Sequence, residues 1–175
     1  TKKDILINSI LQLNENKNIT QIDSVYNSLK KEALELKQDS LYVELTFQQI
    51  EKNSGPLLYT NAEILLENLL INHNYFLKKH PKLLLRCIHD LGKFYLLQSD
   101  LSEESKKISE QYYNRYFSLV KKLDFSESEQ KNVQMNKLSY LVHTKNDSVF
   151  YYLKQYNISQ KKEAEFLNRW FRETK

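Results

Sequence analysis

The sequence contains few of the residues that interrupt or cross-link a fold. Its 175 residues include two glycines, two prolines and one cysteine. Two isolated glycines exclude the glycine-rich loops that bind nucleotide phosphates, and so few helix breakers favour helices joined by short polar turns. The single Cys87 excludes an internal disulfide and a cysteine-based zinc site. Because it lies in an apolar run, we predict a buried, unreactive thiol.

Long apolar runs and charge of one sign are also missing. No apolar run approaches the ~20 residues that a membrane-spanning helix needs, so we expect no membrane span. The chain has 26 lysines and arginines against 22 aspartates and glutamates, a formal charge of +4. The two signs are mixed along the chain, which is typical of a solvated surface rather than a phosphate-binding face. We therefore expect no nucleic-acid partner.

Apolar side chains recur at three- and four-residue steps along the whole chain. This spacing predicts an all-α protein of about eight or nine helices, with residues 1–175 in one helical-repeat domain. Capping residues predict several helix starts, including Ser102, and Ser126 in a capping box with Glu129. One long helix is predicted over 60–80, since the residue before Pro81 is driven out of the α region.

Two kinds of helix alternate along the chain. One kind carries a leucine followed by a small residue, and these pairs lie 46 and 47 residues apart. They are Leu45-Thr46, Leu91-Gly92 and Leu138-Ser139. The other kind carries an aromatic residue followed by leucine and lysine, around Leu29, Leu77, Leu119 and Leu153. A small residue lets two helices approach closely, and the alternation predicts stacked helical hairpins that bury their faces on each other.

The leucine-glycine pair at Leu91 and Gly92, followed by Tyr95, resembles the first-helix signature of the tetratricopeptide repeat. In divergent form the resemblance extends over residues 20–160. It implies a right-handed array of antiparallel helix pairs, a tetratricopeptide-like solenoid that binds a protein or peptide, with no enzymatic activity and no cofactor. Similar bacterial arrays often serve as regulatory or sensor segments of signalling proteins. We therefore expect a cytoplasmic or periplasmic piece of a larger bacterial protein.

The resemblance also implies a set of binding residues. In the tetratricopeptide family, the helix that carries the leucine and small residue lines the concave face and contacts the ligand. The implied groove residues are Glu44, Phe47, Arg86, His89, Asp90, Lys93, Asn136, Lys137 and Tyr140. Because this set includes arginine, lysine, histidine and asparagine, it favours an acidic or carboxylate-bearing partner.

The pair His89-Asp90, with the Leu-Gly-Lys that follows it, also resembles the metal-binding signature of the HD-type phosphohydrolases. In that family an earlier histidine, the pair and a later aspartate hold a divalent ion that activates water. The candidates for the other ligands are His73, His80, Asp124 and Asp147. The alternative function is thus a metal-dependent phosphohydrolase that uses His89 and Asp90.

Two features count against this alternative. His73 and His80 precede His89 by only 16 and nine residues, which is short for that family. Asp90 lies four residues after Arg86 and three before Lys93, so that the three share a helix face, which favours an intrahelical ion-pair ladder over a metal site. We therefore predict no catalytic residue and no metal in this stretch.

The last helix is amphipathic and has two interpretations. Its apolar side chains are Phe166, Leu167, Trp170 and Phe171. They suit a helix that lies on a membrane surface, and they suit equally a terminal helix that covers the end of a repeat array.

Overall fold

All regular secondary structure in the part of the chain that the structure describes is helical. The computed structural model describes residues 4–6, 8–9, 22–52 and 59–173. Residues 4–6 and 8–9 have helical backbone, and nine helices follow between residues 22 and 173. They are α1 (Ile22–Glu35), α2 (Asp39–Lys52), α3 (Tyr59–Asn72), α4 (Asn74–Lys79), α5 (Pro81–Leu97), α6 (Glu103–Val120), α7 (Glu127–His143), α8 (Ser148–Gln155) and α9 (Gln160–Glu173). The predicted all-α class is confirmed for these residues.

Two predicted helix starts are confirmed in atomic detail. The Ser102 side-chain oxygen accepts the backbone N–H groups of Glu104 and Ser105 at the start of α6. At the start of α7, the Ser126 side chain accepts the N–H of Glu129, and the Glu129 carboxylate accepts the N–H of Ser126. This is the predicted capping box, and it satisfies donors that the first turn of a helix leaves without a partner.

Three helices end on a residue with left-handed backbone that is not glycine. Lys37, Lys145 and Asn157 follow α1, α7 and α8 with φ of 54°, 53° and 46°. After α1, the N–H of Gln38 donates to the Ala33 carbonyl at 2.9 Å, a bond across five residues that closes the helix end. A side chain in this conformation costs about 1 kcal/mol per residue. Lysine and asparagine thus end helices where glycine commonly does so in other proteins.

The helix predicted over 60–80 is divided at His73 into α3 and α4, so the prediction of one continuous helix was wrong at this point. His73 has φ −115° and ψ 20°. Its buried ring stacks on Tyr42 with centroids 4.3 Å apart, and its Nδ1 lies 3.3 Å from an Asp39 carboxylate oxygen. These contacts hold the ring against α2, and the asparagines on either side have low helix propensity.

The chain divides into two compact units, Thr1–Phe94 and Tyr95–Lys175. The division falls inside α5. A single helical-repeat domain over 1–175 stays a prediction. Among the helices that the structure describes, none is long and apolar enough to cross a membrane.

In the first unit, α1 packs on α2, α2 on α3, and α3 on α4. Where α1 and α2 meet, four fully buried side chains form a core: Leu6, Tyr26, Ala33 and Leu45. The spacing of apolar residues in the sequence predicts that Tyr26 and Ala33 lie on one apolar face of α1, and their burial confirms that part of the face. The same spacing predicts a helix over residues 4–14, and Thr20 predicts the N-cap of α1; the first lies largely and the second wholly outside the described residues.

The three recurrent leucines, Leu45, Leu91 and Leu138, have no exposed surface. The small residues that follow the first two, Thr46 and Gly92, are buried as well. Cys87 is also buried, and its thiol donates to the Leu66 carbonyl at 3.4 Å. The predicted inaccessible thiol is therefore confirmed.

In the second unit, α7 packs on both α8 and α9. A buried cluster lies among them, formed by Leu138, Leu141, Val142, Val149 and Leu153. Phe166, Leu167 and Trp170 of α9 pack against this cluster, whereas Phe171 is 54% exposed. Most of the apolar face of α9 is thus packed within its own unit.

Candidate binding groove

The nine predicted groove residues lie on three helices. Glu44 and Phe47 are on α2; Arg86, His89, Asp90 and Lys93 are on α5; Asn136, Lys137 and Tyr140 are on α7. The first six belong to the first unit and the last three to the second.

The first unit contains an open groove with a volume of about 470 Å³. This volume is within the range of pockets that bind small molecules. Its lining residues come from α2, the α4 region and α5: Ser40, Val43, Glu44, Phe47, Gln48, Glu51, Phe76, His80, Leu83 and Arg86. Three predicted residues, Glu44, Phe47 and Arg86, are among them. His89, Asp90 and Lys93 are not part of this lining.

Arg86 is held at the groove by contacts with α2. Its guanidinium carbon lies 4.2 Å from the centroid of the Phe47 ring, a distance at which the ring face attracts the cation. Its Nη2 donates to the Glu51 carboxylate. On its own helix, its Nε lies 3.8 Å from an Asp90 carboxylate oxygen. The cation that the sequence suggested for binding an acidic partner is therefore already engaged inside the unit.

The floor of the groove is apolar and its edge is polar. Val43 and Phe47 are almost fully buried beneath it. Half-buried Phe76 and Leu83 complete the apolar part. The Phe76 ring lies 4.3 Å from that of His80, centroid to centroid. The groove can therefore accept an apolar side chain while polar groups at its edge contact the segment that carries it.

Carboxylates outnumber guanidinium groups along the groove. Glu44 and Glu51 lie on α2 two turns apart, and Arg86 faces them from α5. Arg86 donates to Glu51, whereas a Glu44 carboxylate oxygen accepts from the neutral amide of Gln48 at 3.1 Å. The α2 edge of the groove is thus acidic at Glu44.

The predictions from sequence missed several lining residues. Glu51 follows Phe47 by four residues, so the helical period alone could have placed it on the same face. Phe76, His80 and Leu83 come from other helices, and no local pattern indicates that they lie opposite α2. Their contribution depends on tertiary packing.

His89 and Asp90 contact each other, and they do not form part of a cluster of metal-ligating side chains among the described residues. His89 Nδ1 lies 3.1 Å from Asp90 Oδ1. Of the candidate earlier ligands, His73 is paired with Asp39 and His80 lines the groove. Across the described residues, no three histidine, cysteine, aspartate or glutamate side chains lie together as a metal ion would require.

In the second unit, Asn136, Lys137 and Tyr140 contact a group of aromatic rings on neighbouring helices. The Asn136 amide donates to the Tyr116 hydroxyl at 3.1 Å. Lys137 Nζ lies 3.6 Å from the centroid of the Tyr152 ring. The Tyr140 ring stacks on Tyr113 at 4.2 Å.

Burial raises the pKa of the Tyr140 hydroxyl above its usual value, and the negative charge of Glu110 adds to this effect. Tyr113 and Tyr116 are each only 2% exposed, so these two rings belong to the core of the second unit. Lys137 is half-buried, and its ammonium group is held by the π faces of Phe117 and Tyr152. These three residues thus support the packing of their unit.

Comparisons with family models, curated proteins and solved structures find no match for this chain. Its function is therefore inferred from its own residues.

Proposed function

We propose that this chain is a non-enzymatic helical-repeat module that binds a segment of another protein. As a tetratricopeptide-like array, it would serve as a regulatory or sensor segment of a bacterial signalling protein. The burial of Leu45, Leu91 and Leu138 supports the repeat interpretation, because equivalent positions in stacked hairpins face the packed interior. The burial of Gly92, and the stacking of Tyr95 on Tyr112 at 6.0 Å, agree with it.

The groove beside Phe47 is the observation that carries the binding proposal. It combines an apolar floor with a charged edge, and its volume is ample for a large side chain. Peptide-binding surfaces commonly combine these features, since a buried apolar anchor supplies affinity and polar groups around it supply specificity. The contacts of Arg86 with Phe47 and Glu51 keep the wall of the groove in place without a ligand.

The charges at the groove identify the chemistry of the partner. A carboxylate-bearing segment would have to displace Glu51 from Arg86 and would approach Glu44. A segment with an apolar side chain and a neighbouring lysine or arginine avoids both costs, because its cation can pair with Glu44. The proposed partner is therefore a basic and apolar segment, in place of the acidic one expected from residue types alone.

Selection from a random peptide library displayed on phage tests this proposal. Peptides that bind the immobilised chain should share an aromatic or aliphatic residue close to lysine or arginine. Fluorescence polarisation of a labelled selected peptide then measures its Kd for the wild-type chain and for Glu44→Lys. We expect Glu44→Lys to weaken binding at least about tenfold, because it replaces a charge-assisted contact with repulsion.

Glu35→Lys is the matched control, since Glu35 is exposed, lies on α1 and is not part of the groove lining. It makes the same change in net charge and should leave the Kd unaltered. Selected peptides rich in aspartate and glutamate would contradict the proposal, as would equal losses of binding in both variants.

A further inference from the structure

The second unit contains a polar pocket with a volume of about 310 Å³. All of its lining residues lie between Leu96 and Lys145, so the pocket belongs to this unit alone. They come from the end of α5 and the turn after it, from α6, and from the end of α7. The volume is at the lower end of the range for pockets that bind small molecules, so it suits a small ligand better than a peptide segment.

Charged side chains of both signs line this pocket. Three are carboxylates and two are ammonium groups: Asp100, Glu103, Glu110, Lys106 and Lys145. Lys106 lies three residues after Glu103 and four before Glu110, positions at which helical side chains are neighbours. Even so, none of the five side chains forms an ion pair or a hydrogen bond with any other described residue. Opposite charges thus share one pocket without pairing with each other.

The pocket lies between the start of one helix and the end of another. Glu103 is the first residue of α6, and His143 is the last of α7. The backbone gives the start of a helix a positive partial charge and its end a negative one. Glu103 at the start of α6 and Lys145 just after α7 have the signs that complement these ends, so the helix dipoles already account for both.

Lys106 and Glu110 are not explained in this way. Lys106 is the fourth residue of α6, where a cation adds to the positive end of the helix. Glu110 lies close to α7, because its charge contributes to the raised pKa of Tyr140 in the last turn of that helix. Its carboxylate therefore adds to the negative end of α7. The pocket is thus positive at Lys106 and negative at Glu110.

His143 adds no charge to the pocket. Its Nδ1 lies 2.6 Å from Nη2 of Arg169. A guanidinium can only donate hydrogen bonds, so Nδ1 accepts and the imidazole is neutral. The lining therefore has one more carboxylate than it has ammonium groups. A ligand that carries both signs and one additional cation would balance these charges.

We propose that this pocket binds a free amino acid with a cationic side chain, such as lysine. The carboxylate of the ligand pairs with Lys106, and its α-ammonium group pairs with Glu110. The side-chain cation of the ligand pairs with Asp100, the remaining carboxylate. Charge-assisted hydrogen bonds of this kind are about twice as strong as those between neutral groups. A simple anion or a diamine would satisfy only one of the two signs.

Isothermal titration calorimetry of the full chain with L-lysine tests the proposal. We expect saturable binding, which Lys106→Gln and Glu110→Gln should each weaken at least about tenfold, because each removes one charge-assisted contact. Both side chains are exposed, so the circular dichroism spectrum should not change. Lys107→Gln and Glu104→Gln are the matched controls. Lys107 and Glu104 are exposed on the same helix but do not line the pocket, so these variants should bind lysine like the wild type.

Cadaverine, which is lysine without its carboxylate, tests the dipolar character of the ligand. It should bind more weakly than L-lysine, and Lys106→Gln should not weaken its binding further. If cadaverine bound as tightly as L-lysine, the carboxylates alone would account for binding and a dipolar ligand would be ruled out. The proposal would also be overturned if neither L-lysine nor L-arginine bound, or if the pocket variants and their controls lost affinity equally.

Discussion

Replacing Leu138 by alanine tests whether the recurrent leucines are structural positions. Leu138 has no exposed surface and lies in the cluster that joins α7, α8 and α9. The change removes about three buried carbon groups at ~0.8 kcal/mol each. A cavity among neighbours that relax only in part increases the cost, so we expect a loss of about 3 kcal/mol in the free energy of unfolding. This is more than a hundredfold change in the unfolding equilibrium, at about 1.4 kcal/mol for each factor of ten.

The single tryptophan makes this loss measurable locally. Trp170 packs against the same cluster, so its fluorescence reports the unfolding of the region around Leu138. In urea, with an m-value of about 2 kcal/mol per molar, the midpoint should fall by roughly 1.5 M. Leu101→Ala is the matched control, since Leu101 is 85% exposed and its loss should shift the midpoint very little. If Leu138→Ala shifted the midpoint no more than Leu101→Ala, the packing argument would be refuted.

Two further predictions concern a buried lysine and the histidine-aspartate pair. Burial lowers the pKa of Lys30 below its usual value, although Asp23 opposes the shift. At pH values between the pKa of Lys30 in the folded chain and about 10.5, the unfolded chain therefore binds more protons at this site than the folded chain does. The free energy of unfolding of the wild type consequently rises with pH across that range. Lys30→Met should lack this rise, so its free energy of unfolding in urea titrations should fall relative to that of the wild type as the pH approaches 10.5. If the free energies of unfolding of the two proteins changed with pH in parallel, Lys30 would not be desolvated in the folded chain. Elemental analysis by mass spectrometry should find no stoichiometric Mn, Fe, Ni or Zn that depends on His89, because Asp90 lies 3.8 Å from the Arg86 guanidinium and 3.1 Å from His89 itself. One metal ion per chain that disappears in His89→Ala would restore the hydrolase hypothesis.

Features set by nearby residues could be predicted from the sequence. The capping box of α7 depends on Ser126 and Glu129, which are three residues apart, and the structure forms it as predicted. The helical class depends on the spacing of apolar residues within each segment, and the structure forms nine helices between residues 22 and 173 of the part that it describes. The burial of Cys87 also follows from the apolar run around it.

Features set by distant residues could not be predicted in the same way. The break at His73 coincides with the packing of its ring against Tyr42, 31 residues earlier, and nothing within the helix itself requires it there. The apolar period continues through His73, so the pattern alone favours one helix. Low propensity at the two neighbouring asparagines was the only local signal, and it is worth less than 1 kcal/mol per residue.

Arg86 shows why the charge of a binding surface cannot be read from residue types alone. In the sequence it is one of several cations in the predicted groove, and the set as a whole favours an acidic partner. In the folded chain its guanidinium donates to Glu51, 35 residues away, and lies against Phe47. A cation paired in this way contributes little net field, and a carboxylate that approached it would also lie close to the negative charge of Glu51. Glu44, whose carboxylate accepts from the neutral amide of Gln48, then dominates the electrostatics of the groove edge. The positive charge proposed for the partner segment follows from the pairing of Arg86 with Glu51, and the Glu44→Lys variant tests it directly.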